Sequence, residues 1–355
     1  MPWLGLEGHD AVVERFRRAL ERGRLAGTYL FVGPAGIGKR SFALRLAQTL
    51  LCGVRPEAAM NPCGACPACQ QVVAQTHPDL LLVSKPPDKA TIPLELLIGP
   101  PEKRTREGLC HSLALASFMG GRKVAIIDDA DDLNIEGANS LLKTLEEPPP
   151  RTTIILIGTS LEKQLPTIRS RSQVISFRPL APAVLERLVL EQNLAAEPEA
   201  AAHLARHCEG SLARAAELAD AELWKFRGEL LRRLADRPLP ALTIARAVNE
   251  FVEAAGKEAA AKRVRARTVI GFAAEFYRAM LRIGAGAMVG DDRDLAAVVA
   301  AAAKDTSLDV DRASEQLDRT LEALEHVDRN AHLVTVIECW LDDLARIASA
   351  RRVAV

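Results

Sequence analysis

A short apolar run, Tyr29-Leu30-Phe31-Val32, leads into Gly33-Pro34-Ala35-Gly36-Ile37-Gly38-Lys39-Arg40-Ser41 and then into a helical run from Phe42 to Leu51. Strand, glycine loop and helix in that order bring backbone N–H groups and a helix N-terminus around a polyphosphate, with the lysine reaching its outer oxygens. Gly33, Gly36, Gly38, Lys39, Arg40 and Ser41 are therefore candidate anion-binding residues. The competing reading is a plain Gly-rich turn between a strand and a helix.

The rest of the first half fits the same architecture. Leu80 to Val83, Val124 to Asp128, Thr153 to Gly158 and Val174 to Phe177 are further short apolar runs, separated by polar or helical sequence. Continuous apolar runs joined by crossovers predict an α/β fold, a doubly wound parallel sheet of five strands ending near Arg178-Pro179. From Pro182 the strand signal stops and helical periodicity takes over, with Gly210-Ser211 as a stop and restart. The second half is built of good helix formers, interrupted at Arg237 to Pro240 and around Gly284 to Asp292. The expected domains are 1–178, 179–220 and 221–355.

The loop departs from a complete hydrolytic motif. The Ser or Thr that coordinates Mg²⁺ belongs directly after the lysine, where Arg40 stands; the hydroxyl comes one residue later, at Ser41, turned by about 100° on a helix. The third run ends in Asp128-Asp129, at the end of a parallel strand where such sheets bind ligands. Asp128 suits a water-mediated Mg²⁺ contact. Asp129 stands where a hydrolase would keep a Glu to orient water, and its side chain is shorter by about 1.5 Å; misplacement near 1 Å can cost roughly 100-fold in rate. ATP with Mg²⁺ remains a possible ligand set, with binding favoured over turnover. The alternative is that Asp128 to Asp132 only solvates a strand end.

Three of the seven cysteines fall within Cys63-Gly64-Ala65-Cys66-Pro67-Ala68-Cys69, and Cys52 closes the helix behind the loop. Four thiolates at this spacing suit a closed, tetrahedral, structural Zn²⁺ site better than a redox pair. Cys110, Cys208 and Cys339 are isolated and read as buried thiols.

Lys plus Arg and Asp plus Glu both number 46, which argues against strong salt-dependent binding of nucleic acid by the whole molecule. Lys257, Lys262, Arg263, Arg265 and Arg267 form a basic run without interleaved aromatics, which reads as a solvated helix face. No run is long and apolar enough for a bilayer, and the N-terminus lacks a basic start before an apolar core, so a cytoplasmic protein without membrane contact is expected. The Pro-rich stretch Leu94 to Lys103 reads as a loop of no derivable function.

Taken with Asn139-Ser140-Leu141-Leu142-Lys143-Thr144-Leu145-Glu146-Glu147-Pro148-Pro149 and Ser170-Arg171-Ser172, these motifs resemble the clamp-loader subunits of bacterial DNA polymerase III, members of the AAA+ ATPase superfamily, over most of residues 1 to 220. The resemblance implies a P-loop domain with a zinc module, a helical lid and a helical oligomerisation collar. It implies that Arg171 enters the ATP site of an adjacent subunit and stabilises charge on the γ-phosphate. Thr159 falls where the superfamily keeps a polar sensor. Ser172 replaces the family's Cys, and Ala213 stands where motor subunits carry a sensor arginine, with Arg214 one place later. The displaced catalytic elements imply a stator-type member, partnered by τ/γ and δ subunits and meeting the sliding clamp and primed DNA through the assembled complex. A motor-type ATPase subunit and a noncatalytic zinc-dependent scaffold are the alternatives.

Overall fold

In the computed structural model, residues 3–350 are described apart from 88, 105, 291 and 306–308. The first two and last five positions of the expected domains, and position 291 of the expected interruption, therefore lie outside the described residues. The chain divides into two compact units, Met1–Ala219 and Asp220–Val355.

In the first unit, α1 (Asp10–Glu21) precedes β1 (Thr28–Val32), and the glycine loop then opens α2 (Lys39–Leu51). Next come α3 (Pro67–Val73), β2 (Leu80–Val83), α4 (Leu94–Ile98), α5 (Gly108–Ala114), β3 (Lys123–Ile127), α6 (Ile135–Glu146) and β4 (Thr152–Gly158). The unit closes with α7 (Pro166–Arg169), β5 (Gln173–Ser176), α8 (Pro182–Glu191), α9 (Pro198–His207) and α10 (Leu212–Leu218). The five strands form one sheet in the order β2-β3-β4-β1-β5, every pairing parallel.

Both faces of this sheet are covered, which is why its strands read as unbroken apolar runs. Tyr29 and Phe31 of β1 face a cluster containing Phe16, Phe42, Met60 and Phe177. Leu30 and Val32, alternating with them, face a cluster of Leu97, Leu113, Leu141 and Ile168. The period-two alternation of a strand thus feeds two cores rather than one core and solvent. Phe42 joins the first cluster one turn into α2, so the helix that starts at the loop is pinned to the strand that ends at it.

The stretch from Leu94 to Lys103 is not the plain loop expected. Pro93 stands as N-cap in extended geometry, and Leu97 is buried, so one helical turn and a half forms before Gly99 ends it. The thiols also divide: Cys208 is buried as expected, Cys110 is half-buried, and Cys339 on the last helix is exposed.

The second unit contains α11 (Ala221–Ala235), α12 (Ala241–Glu253), α13 (Ala259–Gly284), α14 (Arg293–Asp305), α15 (Val310–Asp328) and α16 (Leu333–Ser349). Long α13 buries Val269, Ile270, Phe272, Ala273, Phe276 and Tyr277 and packs against α11, α12, α14 and α15. Its basic N-terminal half is not a merely solvated face. Arg263 donates to the carbonyls of Val327, Asn330 and Ala331, satisfying the open C-terminal end of α15. Arg265 donates to Asp220 at 3.0 Å and lies 4.8 Å over the Phe251 ring. Lys262 bonds Glu253 at 2.5 Å, and Arg267 pairs with Asp328.

Candidate functional site

The loop between β1 and α2 is shaped by its glycines. Gly38 is the N-cap of α2 at φ 98°, and Gly36 has φ 73°, both in the left-handed region that disfavours a side chain. A Cβ on Gly36 would also lie 2.3 Å from Ser211 Oγ and 2.6 Å from the Ala213 side chain. That close approach has a purpose in the backbone: the N–H groups of Leu212 and Ala213, opening α10, donate to the Gly36 carbonyl at 3.1 and 3.4 Å. Ser211 caps the same helix by accepting from the Arg214 N–H. Beneath the loop, the buried ring of His9 bonds the Ile37 carbonyl at 2.7 Å and meets Phe177 edge-on at 5.0 Å.

Lys39 is only 6% exposed, and its ammonium donates to the carbonyls of Gly33 and Pro34 at 2.5 Å each. Burial lowers its pKa, and the carboxylates of Asp128 and Asp131 counter part of that effect. Arg40 follows on the helix and sets its Nε 3.6 Å from Asp128 Oδ2. Ser41 is exposed. The displaced hydroxyl and the paired carboxylate do not make the donor set of a Mg²⁺ site: hard-cation coordination needs free oxygen donors, and here one carboxylate faces a guanidinium.

The acidic run after β3 divides by role. Asp129 takes a left-handed conformation, φ 55°, and its Oδ2 accepts the Lys85 N–H at 3.3 Å. Partial desolvation and the adjacent Asp128 charge raise its pKa. Asp131, which the sequence shows only as one member of the acidic run, accepts the Thr159 N–H at 2.8 Å and also bonds the Thr159 hydroxyl and the Gln164 amide. Asp132 pairs with Lys85 at 2.7 Å. Thr159 is thus held by Asp131, while its carbonyl accepts the Gly33 N–H at 3.2 Å.

Arg171 lies in the turn between α7 and β5, with its side chain 30% exposed. Its guanidinium donates to Glu146 at 3.2 Å, to the Thr167 carbonyl at 3.2 Å and to Ser170 Oγ at 3.3 Å. Glu146 closes α6, so the Leu-Leu-Lys-Thr-Leu-Glu-Glu-Pro-Pro string positions the arginine. Neighbouring Arg169 is exposed.

The four cysteines converge. The sulfurs of Cys52, Cys63, Cys66 and Cys69 all lie within 4.8 Å of one another. Cys52 to Cys63 is 3.8 Å and Cys63 to Cys69 is 3.9 Å. A tetrahedral ion with bonds of about 2.3 Å to sulfur needs sulfur–sulfur edges of about 3.8 Å, so this cluster could bind a metal ion. Backbone N–H groups are already aimed at the sulfurs: Arg55 and Cys63 donate to Cys52, Cys66 donates to Cys63, and Cys69 donates to Cys66. Burial works against ionisation of Cys52, but its N–H donors prevail and bring its pKa down to about 6. Cys69 goes the other way, pushed up to about 12 by burial and by the sulfurs around it. A divalent cation would remove that conflict by neutralising the thiolates together.

Residues 8–181 match the family described as DNA polymerase III, delta subunit. The chain is 41% identical over 150 residues to DNA polymerase III subunit delta' of Pseudomonas aeruginosa, covering 42% of each chain. It is 34% identical over 183 residues to subunit delta' of Bacillus subtilis, covering 52% of this chain and 51% of that one. It is also 32% identical over 227 residues to the tau subunit of Escherichia coli, covering 63% of this chain and 33% of that one. The matched stretch therefore spans about half or less of these relatives' own length.

Proposed function

From residues 8–181 as a clamp-loader domain of the DNA polymerase III delta-subunit family, related to tau and gamma, we propose that the chain is a δ′-type, stator-like AAA+ subunit. In this role it helps load the sliding clamp onto primed DNA in the cytoplasm. Its partners are the τ/γ and δ subunits, and it reaches clamp and DNA through the assembled complex. The helices from Ala221 onward serve as the collar for assembly, and a zinc ion held by Cys52, Cys63, Cys66 and Cys69 stiffens the segment behind α2.

The observation that carries this reading is the partly exposed Arg171 guanidinium, held on α6 and α7 by Glu146 and Thr167. Such a placement suits an arginine that serves a neighbour's nucleotide. The chain's own loop has Arg40 against Asp128 and Asp129 bonded to the Lys85 amide, an arrangement poorly suited to activating water. Thr159 contributes here as a support for the loop, through Gly33.

The test is reconstitution with motor subunits, δ and clamp. Arg171→Ala is expected to lower ATP turnover by the complex about 10³-fold, the lower end of the range of about 10³–10⁵ for trans-acting arginines, while leaving assembly intact. Unchanged loading and turnover would remove the role. The retained Lys39 and Asp128 favour a second reading, a motor-type ATPase subunit. Lys39-dependent steady-state hydrolysis by the isolated chain would establish that one instead.

A further inference from the structure

We propose that Gly33–Ser41 is a metal-free anion site in which Arg40 takes the place of Mg²⁺, binding a polyphosphate chain without a divalent cation. The inference rests on reading this loop as an anion loop, and it does not depend on the role given to Arg171.

Three observations meet at this position. Lys39 is nearly fully buried, yet among the described residues its ammonium has no carboxylate within hydrogen-bond distance, and it rests on the loop's own carbonyls, Gly33 and Pro34. Burial lowers the proton affinity of this ammonium, Asp128 and Asp131 offset part of that, and an anion at the loop would raise it further. Next along the helix, Arg40 is half exposed, and its contact with Asp128 at 3.6 Å is an ion pair without a hydrogen bond. The guanidinium is therefore free to exchange one anionic partner for another at little cost. Lastly, the hydroxyl that would complete a Mg²⁺ shell is displaced to the exposed Ser41.

Together these put two cations, Lys39 and Arg40, in the first turn of the thirteen-residue α2, where the positive end of the helix dipole adds to them. The forked guanidinium matches two phosphate oxygens at once. A Mg²⁺ ion arriving with the ligand would meet that guanidinium as a like charge and would have to draw Asp128 away from it. Divalent cation thus competes with Arg40 instead of assisting it. The phosphate chain is the shared chemistry, supplied either by a nucleoside triphosphate or by free polyphosphate.

The experiment is calorimetric titration of the full chain with ATP and, separately, with inorganic tripolyphosphate, each in EDTA and in excess MgCl₂. Wild type is expected to bind at least as tightly in EDTA as with Mg²⁺. Arg40→Ser is expected to weaken metal-free binding roughly tenfold, the loss of a charge-assisted pair, and to make Mg²⁺ favourable. Arg40→Lys, which keeps the charge but not the fork, should fall between. Equal binding of both ligands assigns the site to the phosphate chain alone, and tighter ATP binding assigns it to a nucleotide. Tenfold strengthening of wild-type binding by Mg²⁺, no binding of either ligand in EDTA, or an Arg40→Ser variant that binds like wild type would each overturn the proposal. None of these results bears on reconstitution with Arg171→Ala, so the two failures are separable.

Discussion

Asp131 accepts the Thr159 N–H at 2.8 Å, and through that contact it fixes where β4 stops. The Thr159 carbonyl in turn accepts the Gly33 N–H, so one carboxylate sets the height of the glycine loop above the sheet. Asp131 also accepts from the side-chain amide N–H of the buried Gln164. Replacing it with Ala strands these donors together. Asp131→Ala is expected to cost about 2–3 kcal/mol, the scale of a lost charged hydrogen-bond acceptor. Urea unfolding would show the midpoint fall at constant m, and hydrogen exchange at the Gly33 and Thr159 amides should speed up. A variant as stable as wild type would mean that the loop is held elsewhere.

Stability should fall with pH in two stages, both traceable to the loop before β2. His77 Nδ1 accepts the Asp79 N–H at 3.0 Å and so must be unprotonated in the folded chain. Burial lowers its pKa, with the Asp79 charge acting against that. Burial pushes Asp79 upward, yet the N–H groups of Met119 and Phe118 and the Ser117 hydroxyl outweigh it, and its pKa is lowered. Both folded values lie below the unfolded ones, about 6.5 for His and 3.9 for Asp. The unfolded chain therefore binds more protons as pH falls: the His77 contribution, whole above about 6.5, is lost below it, and the Asp79 contribution is lost below about 3.9. Each adds a slope of at most about 1.4 kcal/mol per pH unit. Urea midpoints measured across this range should lose the first slope in His77→Gln and the second in Asp79→Asn. Slopes unchanged by either substitution would contradict the assignment.

The cysteine cluster should report its metal through Trp3. The Trp3 indole donates to the Met60 carbonyl at 2.6 Å, inside the loop that joins Cys52 to Cys63, and its ring lies 4.9 Å from Phe42. Stripping metal from the purified chain should release zinc and shift the tryptophan emission to longer wavelength as this contact loosens. Trp3→Phe should abolish the shift without changing the zinc content. Cys63→Ala should lower zinc content and leave the emission of the metal-free chain unaffected by added zinc. Absence of zinc from protein grown with zinc would count against the site.

How much of this was legible depended on whether a signal is local. Tyr29 to Val32 could be read as a strand because adjacent residues serve opposite cores, which leaves an unbroken apolar run. The convergence of the four sulfurs could be read because three of the cysteines stand with two residues between them in one short stretch. Asp128 to Asp132 could not be resolved into roles, because the left-handed turn at Asp129 sends successive carboxylates to Arg40, Lys85 and Thr159. His9 gave no sign of its place beneath the loop, since its partner Ile37 is 28 residues away. The basic run failed for the same reason: Arg263 caps a helix whose end lies more than 60 residues later.

In the second unit, Arg227 offers the sharpest test of a buried charge. It is 3% exposed, pairs with Asp292 and, at 3.4 Å, with Glu275, and its guanidinium lies 5.5 and 5.4 Å from the Trp224 and Phe272 ring centres. Asp292 also accepts the Leu295 N–H at 3.0 Å, so the same carboxylate anchors the start of α14. Truncating the arginine removes a nearly buried charge from between the part-buried carboxylates of Asp292 and Glu275, and breaking a buried pair typically costs about 3–5 kcal/mol. Arg227→Ala should lose that much in thermal or urea unfolding, whereas Arg227→Met combined with Asp292→Asn, which removes the paired carboxylate charge with the arginine and keeps the volume, should recover most of it. Equal losses in the single and combined variants would show that Arg227 acts through packing on the rings rather than through its charge.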